Sequence, residues 1–362
     1  MVVLQTATLF GAGSTVIVTG AAIFLMPRLL AGQPGAVDGA RIYALAGIPL
    51  VLLGFPISFM RALQRYGLWN LLRLIAPFCW LTALLIFAAL GKDQAEPLIL
   101  TFLVLQLMFI PLVWSLARRE KRGPGGVDRK LISPMVRYGT PLFLATLPRA
   151  INLRFDQILI ANIESADQLG RYAVSVAWAG LGLPIMTAIS FVLLPKLAAM
   201  DPKHAQSAFA QSVRAGVILA LVLSTITGLT APALVPLLFG RSFAVPFILS
   251  LSLAAATSFL GLNGILEEGL SGLGKPRSVL VGELAGLLVT ILLLLVLLPR
   301  LGIIGAAHAS LGGYTATFAV LTWLVRRQSD RPISEFLIPG SSDIADIVGR
   351  SRSLQTYWTA RK

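Results

Sequence analysis

The sequence has little with which to do covalent chemistry. One cysteine, Cys79, leaves no intramolecular disulfide, and two histidines, His204 and His308, make no metal site of recognisable spacing. Redox and zinc chemistry drop out, and no cofactor is implied. Charge is scarce as well: only 13% of the 362 residues are charged, against about 25% in soluble domains. With 56% hydrophobic residues and a mean hydropathy of +0.81, the chain has too little polar surface to cover a single core. A soluble hydrolase or dehydrogenase is excluded. No His-Glu-x-x-His, no Gly-x-Ser-x-Gly and no paired loop carboxylates stand anywhere in the chain. Gly269-x-x-x-x-Gly274-Lys275 imitates the start of a phosphate-binding loop. Pro276 then stands where a magnesium-holding hydroxyl is needed, and the stretch follows an apolar helix instead of a strand.

What is present is apolar length. A spanning helix needs about 20 mostly apolar residues, and ten stretches qualify: roughly 8–27, 42–60, 74–91, 97–116, 139–162, 172–195, 213–237, 246–271, 278–298 and 302–325. The expected fold is therefore all-α, a polytopic bundle of about ten transmembrane helices. Residues 1–27 carry no charged side chain, lack a basic n-region and show no convincing cleavage site, so they read as a span that stays. Four regions are expected: helices over 1–117, a basic linker over 118–137, a six-helix lobe over 138–326 and a polar tail over 327–362.

The net charge of +14 would point to nucleic acid in a soluble protein, but here its placement follows the bilayer. Alternate joins on one side hold 22 Lys and Arg, those on the other side six, and Arg149 and Arg154 lie inside the fifth segment. The positive-inside rule then places both termini in the cytoplasm. The basic side is expected to meet anionic membrane lipid, with about 1 kcal/mol of attraction per residue near the surface, and no nucleic acid. Arg61, Arg65 and Arg73 flank one cytoplasmic turn as topology determinants or as an access patch for an anionic head group.

Ionisable residues at membrane depth are costly and are functional candidates by default. On a continuous helix Arg149, Asn152 and Asp156 share one face, Arg154 lies well round the cylinder, and Gln157 falls between. Pro148 invites a kink. Two guanidiniums suit a diphosphate, because the planar fork matches phosphate oxygens in pairs. An Arg149–Asp156 pair serving only structure is the alternative. Glu267 and Glu268 lie about a turn before a cytoplasmic helix end, with Asn263 above Glu267, and Glu283 lies about one turn into the next segment. Interfacial snorkelling beside Lys275 and Arg277 accounts for these carboxylates, and proton or cation coupling, in which Asp156 would share, is the sharper reading. Trp178 and Tyr172 are weaker candidates for sugar stacking.

Local matches recur at a nearly fixed offset: Pro27 with Pro236 at 209, Gly67 with Gly274 at 207, Gly91 with Gly302 at 211. They imply that the first four segments repeat the last four in parallel, leaving the fifth and sixth without counterparts.

Several stretches taken together resemble a known family. Tyr138-Gly139-x-Pro141, Arg154-x-Asp156-Gln157-Ile158-Leu159-Ile160, Leu169-Gly170-x-Tyr172 and Leu194-Pro195 resemble the seventh and eighth helices of the Wzx-like polysaccharide flippases. These belong to the multidrug/oligosaccharidyl-lipid/polysaccharide (MOP, MATE-like) exporter superfamily. Leu238-Phe239-Gly240-x-x-Phe243, Gly272-x-Gly274-Lys275-Pro276 and Gly302-Ile303-x-Gly305-Ala306-Ala307 continue the likeness, which covers about residues 10–325. It implies a two-lobe bundle in the bacterial inner membrane, a first lobe lacking two helices, and no enzymatic activity. It also implies flipping of undecaprenyl-diphosphate-linked sugar, with other polysaccharide-assembly membrane proteins as partners. A MATE-like drug or cation exporter, and a membrane polymerase or glycosyltransferase, are the alternatives.

Overall fold

A computed structural model describes residues 2–29, 37–91, 94–120, 125–329 and 331–340. The chain is all helix and turn, with no strand among the described residues. Among the described residues eight helical stretches are long and apolar enough to cross a membrane, which makes this a multi-pass membrane protein. Contacts divide it into two compact units, residues 1–137 and 138–362. Most of the expected tail, from Ser341 onward, and the Lys92-Asp93 join lie outside the described residues.

The first unit holds α1 (Val2–Leu29), α2 (Val37–Ala44), α3 (Gly47–Ala62), α4 (Tyr66–Leu72), α5 (Ile75–Ala89) and α6 (Ala95–Arg119). Met60, Ala83, Val113 and Ala117 are buried between them, whereas Ile17, Leu50 and Met108 face outward, as lipid-facing residues should. In lipid there is no hydrophobic drive between helices, so close packing and hydrogen bonds hold the unit. Trp114 donates to the Leu52 carbonyl at 3.0 Å, and Thr19 to that of Ala44 at 3.3 Å. The basic linker is tied back to α1, where the Asp128 amide donates to Thr6 at 3.0 Å.

The second unit holds most of α7 (Ile132–Asn152), with α8 (Phe155–Ile163), α9 (Ala166–Ala179), α10 (Leu183–Ala198), α11 (Pro202–Phe239), α12 (Phe247–Gly272), α13 (Pro276–Gln328) and α14 (Ser334–Leu337). Two apolar clusters fill it. One gathers Leu193, Phe209, Val213, Ile265, Leu270, Leu321 and Phe336, and the other Ile160, Val235, Leu249, Leu294, Leu298 and Ile303. Phe336 of the short α14 is fully buried edge-on against Phe209, 5.5 Å between ring centres. Asp201 caps α11: the His204 ring and amide hydrogen-bond its carboxyl and hold it below the ordinary carboxylate range.

At 53 residues α13 would run about 80 Å, far beyond a hydrocarbon core of about 30 Å. It is two spans joined at Gly302, whose φ of 55° and ψ of −140° only glycine adopts readily. The halves fold back on each other through glycines. The place of a Cβ on Gly286 is taken by Thr317, and that of a Cβ on Gly313 by Thr290. This crossing yields the ninth and tenth expected spans. The fifth is interrupted, since α7 runs through Pro148 and breaks five residues later, at Leu153-Arg154.

The glycines that imitate a phosphate loop close a helix instead. The Lys275 amide donates to the Leu270 carbonyl at 2.8 Å and the Gly274 amide to Ser271 at 3.0 Å, with Gly274 at φ 78°. That is a Schellman motif. The same motif ends α3: Arg65 donates to Met60 and Gln64 to Arg61, both at 2.9 Å, with Gln64 at φ 60°. Gln64, not Gly67, therefore matches Gly274, at an offset of 210. Gly91, at φ 61°, matches Gly302 in sign of φ as well as in place. Gln64 is the one non-glycine at positive φ among the described residues. Gln64→Gly is expected to stabilise the protein by about 1 kcal/mol, read as a higher unfolding temperature in detergent.

Candidate functional site

The charged residues of the second unit's interior gather at two centres. On the first, α7 and α12 run antiparallel, with the Tyr138 hydroxyl donating to the Ser271 carbonyl at 2.6 Å near one end. Long side chains lean toward the N-terminus of their own helix, so Arg149 on α7 and Glu267 on α12 lean toward each other. Arg149 Nη1 forms an ion pair with Glu267 Oε2, and the same nitrogen stands 3.9 Å from Glu283 Oε1 on α13. Arg149 Nη2 passes 3.9 Å from where a Cβ on Gly264 would stand, so the absent side chain admits the guanidinium. Both carboxylates are deeply buried, with side chains 8% and 5% exposed, whereas the Arg149 side chain keeps 35%. The guanidinium is held by Glu267 while the side chain as a whole stays partly exposed.

Snorkelling does not describe Glu267 and Glu283, because their heads are inside the packed unit. Glu268 alone of the three is only partly buried. Nor does Arg149 pair with Asp156. The break at Leu153-Arg154 turns the helix, so the face shared on a continuous cylinder is divided between α7 and α8.

Asp156 makes the second centre. It accepts from the Tyr172 hydroxyl at 2.6 Å, from Ser310 at 3.2 Å and from the Gln157 amide at 2.7 Å. These neutral donors bind α8 to α9 and to the second half of α13. Tyr172, fully buried on this carboxylate, has no face for a sugar, and Trp178 donates its indole N–H to the Thr227 carbonyl at 3.1 Å. Arg154 is exposed at the helix break and reaches Gln157 Oε1 at 3.4 Å. Asn152 is buried, and its Oδ1 has no hydrogen-bond partner among the described residues, nor has Glu267 Oε1 or Asn263 Oδ1. Asn263 donates to the Tyr314 carbonyl at 3.0 Å, and Tyr314 itself is an electrostatic neighbour of Arg149, Glu283 and Asp156. Sequence reasoning passed over Tyr314 and Ser310, for nothing in an apolar run marks which hydroxyl meets a carboxylate.

The three arginines of the turn expected on the cytoplasmic side lie in the first unit. Arg65 pairs with Glu120 at 3.0 Å, while Arg61 and Arg73 stand over the Trp69 ring at 5.9 and 4.6 Å from its centre. Among the described residues no group of three or more His, Cys, Asp and Glu side chains has the arrangement of a metal site.

Comparison with known proteins agrees with this architecture. The chain is similar to a mutant MATE transporter, with a TM-score of 0.76 at 15% identity over 90% of this chain and 77% of that one. A mutant of the Vibrio cholerae MATE transporter VcmN gives 0.73 at 17% identity, covering 89% and 77%. A MOP superfamily transporter from Pyrococcus furiosus, described as having a binding pocket of reverse polarity, gives 0.69 at 14%, covering 90% and 77%. No curated protein matches the chain by sequence. The family described as polysaccharide biosynthesis protein matches residues 3–246. With two thirds of its length matched by the family model, the chain belongs to the family described as polysaccharide biosynthesis protein, and its fold is like that of the MATE transporters.

Proposed function

We propose that the protein flips undecaprenyl-diphosphate-linked oligosaccharide units from the cytoplasmic to the periplasmic leaflet of the bacterial inner membrane. The observation that carries this reading is Arg149, an arginine in the interior of the second unit that is paired with Glu267 and whose side chain stays partly exposed. Glu267 fixes its orientation, and its remaining N–H groups can donate to phosphate oxygens in pairs. Arg154 and Gln157, at the helix break, supply a second cation and an amide on the same stretch of chain. Asp156 holds the break in place from behind. Arg61 and Arg73, on the expected cytoplasmic face, meet anionic head groups. Other polysaccharide-assembly membrane proteins are natural partners. Deleting the gene in its own host should abolish surface polysaccharide and leave the diphosphate-linked sugar on the cytoplasmic leaflet. Normal polysaccharide in the deletion strain rejects the reading.

One observation favours a second reading, a cation or drug exporter. Glu267 and Glu283 are buried as well as Asp156, so three buried carboxyls stand against Arg149 and the exposed Arg154. Efflux of a cationic dye from cells, driven by a sodium or proton gradient and lost with Glu267→Gln, would favour that reading over the flippase.

The orientation has its own test. Reporter fusions at Gly126 should show cytoplasmic activity and at Ser165 periplasmic activity, with both termini cytoplasmic. A periplasmic signal from the 118–137 join would invert the topology.

A further inference from the structure

Two carboxyls converge on one guanidinium nitrogen, and that count has a thermodynamic consequence. Arg149 neutralises one negative charge, while Glu267 and Glu283 supply two. The groups facing this cluster from each packed element are few. From α7 come Arg149 and Tyr138, from α12 Glu267 and Glu268, from α13 Glu283 and Tyr314, and from α8 and α9 Asp156 with Tyr172. Among the described residues none but Arg149 is a cation. The neighbouring polar groups of α10 and α12, Ser190 and Asn263, are neutral. A buried carboxylate without a cation is strongly disfavoured, so the cluster is neutral only when it holds one proton as well as Arg149. An anion that draws the guanidinium to itself takes away the neutralising charge of the second carboxyl. Glu267, whose Oε1 already lacks a partner, is then left beside Glu283 with no cation at all.

We propose that a diphosphate binding at Arg149 is obligatorily accompanied by uptake of one further proton, shared by Glu267 and Glu283. Anion and proton enter the site together. This inference rests on the reading of Arg149 as the diphosphate site and adds the linkage to it. The proton comes from water at the exposed part of the Arg149 side chain. It stays on the carboxyl pair while the diphosphate is bound, and it leaves when Arg149 returns to Glu267. Linkage makes the coupling reciprocal: raising pH weakens the anion, and the anion strengthens the proton.

The probe is farnesyl diphosphate, titrated calorimetrically into the purified full chain in detergent. Buffers of different ionisation enthalpy then give the number of protons taken up. Ionisation of the probe itself is subtracted with the Glu267→Gln/Glu283→Gln double variant, which keeps the shape of both side chains and removes both charges. The native chain is expected to take up about one proton more per diphosphate than this variant. Its affinity should fall by roughly tenfold more per pH unit where that proton titrates. Equal proton counts and equal pH slopes in the two proteins overturn the linkage. If the double variant does not fold, the native chain decides alone against the probe titrated in detergent micelles, where no excess uptake overturns the proposal. A sodium-dependent affinity without proton uptake also overturns it, by assigning the accompanying cation to a metal ion. Binding undiminished by Arg149→Ala refutes something else, the placement of the diphosphate, and takes the linkage down with it.

Discussion

Arg149→Ala is expected to cut export of the lipid-linked sugar by roughly a hundredfold, the worth of two charge-assisted hydrogen bonds at about 1.5 kcal/mol each. Arg149→Lys keeps the charge and loses the fork, so part of the activity should remain. The alanine variant also strands Glu267 and Glu283. Removing one partner of a buried ion pair costs about 3–5 kcal/mol, and the partly open arginine places this case at the lower end. Membrane abundance should therefore fall too, which by itself would look like loss of function. Adding Glu267→Gln to Arg149→Ala separates the two effects, for it removes one stranded charge and should return most of the abundance. Export, normalised to protein level, should stay lost. Recovery of export with abundance would make Arg149 a structural pair and nothing more. A double-mutant cycle should show strong coupling of Arg149 with Glu267 and almost none with Asp156, whose carboxyl is engaged by Tyr172, Ser310 and Gln157. Asp156→Asn keeps an acceptor for both hydroxyls and should be milder.

The spans were legible because a bilayer imposes one demand, apolar length, that composition answers directly. Residues 276–328 show the limit of that reading. Hydropathy separates the ninth span from the tenth around Pro299 to Gly302, and Gly302 is indeed where the backbone turns. Arg149 was legible for a similar reason, as a charge where apolar residues are cheaper. Its partner was not. Periodicity on an unbroken helix selected Asp156, seven residues on, but the break at Leu153-Arg154 carried Asp156 toward α9 and α13. Glu267 and Glu283 reach Arg149 through the packing of α7, α12 and α13, which spacing along one helix does not encode. The repeat shows the same division. Glycine matching set one register three residues from the one the helix-end motif gives, because at Gln64 the chain places a non-glycine in a left-handed turn like that of Gly274.

Gly286→Ala should be strongly damaging to the second unit. Its Cβ would fall on the Thr317 hydroxyl and stand 3.0 Å from the Gly313 carbonyl oxygen, and the latter belongs to the backbone of the opposing half-helix and cannot rotate away. Overpacking ordinarily costs about 1–3 kcal/mol. With a backbone atom in the way the cost should reach or exceed the top of that range, seen as loss of monodisperse protein in detergent. Thr317 offers a test of the cause. Its hydroxyl is buried without a hydrogen-bond partner among the described residues, so Thr317→Ala alone should be neutral or slightly stabilising. In the double variant the nearest side-chain atom to the new Cβ would be the Cβ of residue 317, at 3.2 Å. Most of the lost folding should return, while the Gly313 carbonyl leaves a residual defect. Gly286→Ala tolerated by itself would mean that the two halves of α13 do not cross there. Damage untouched by Thr317→Ala would place the obstruction wholly at the backbone.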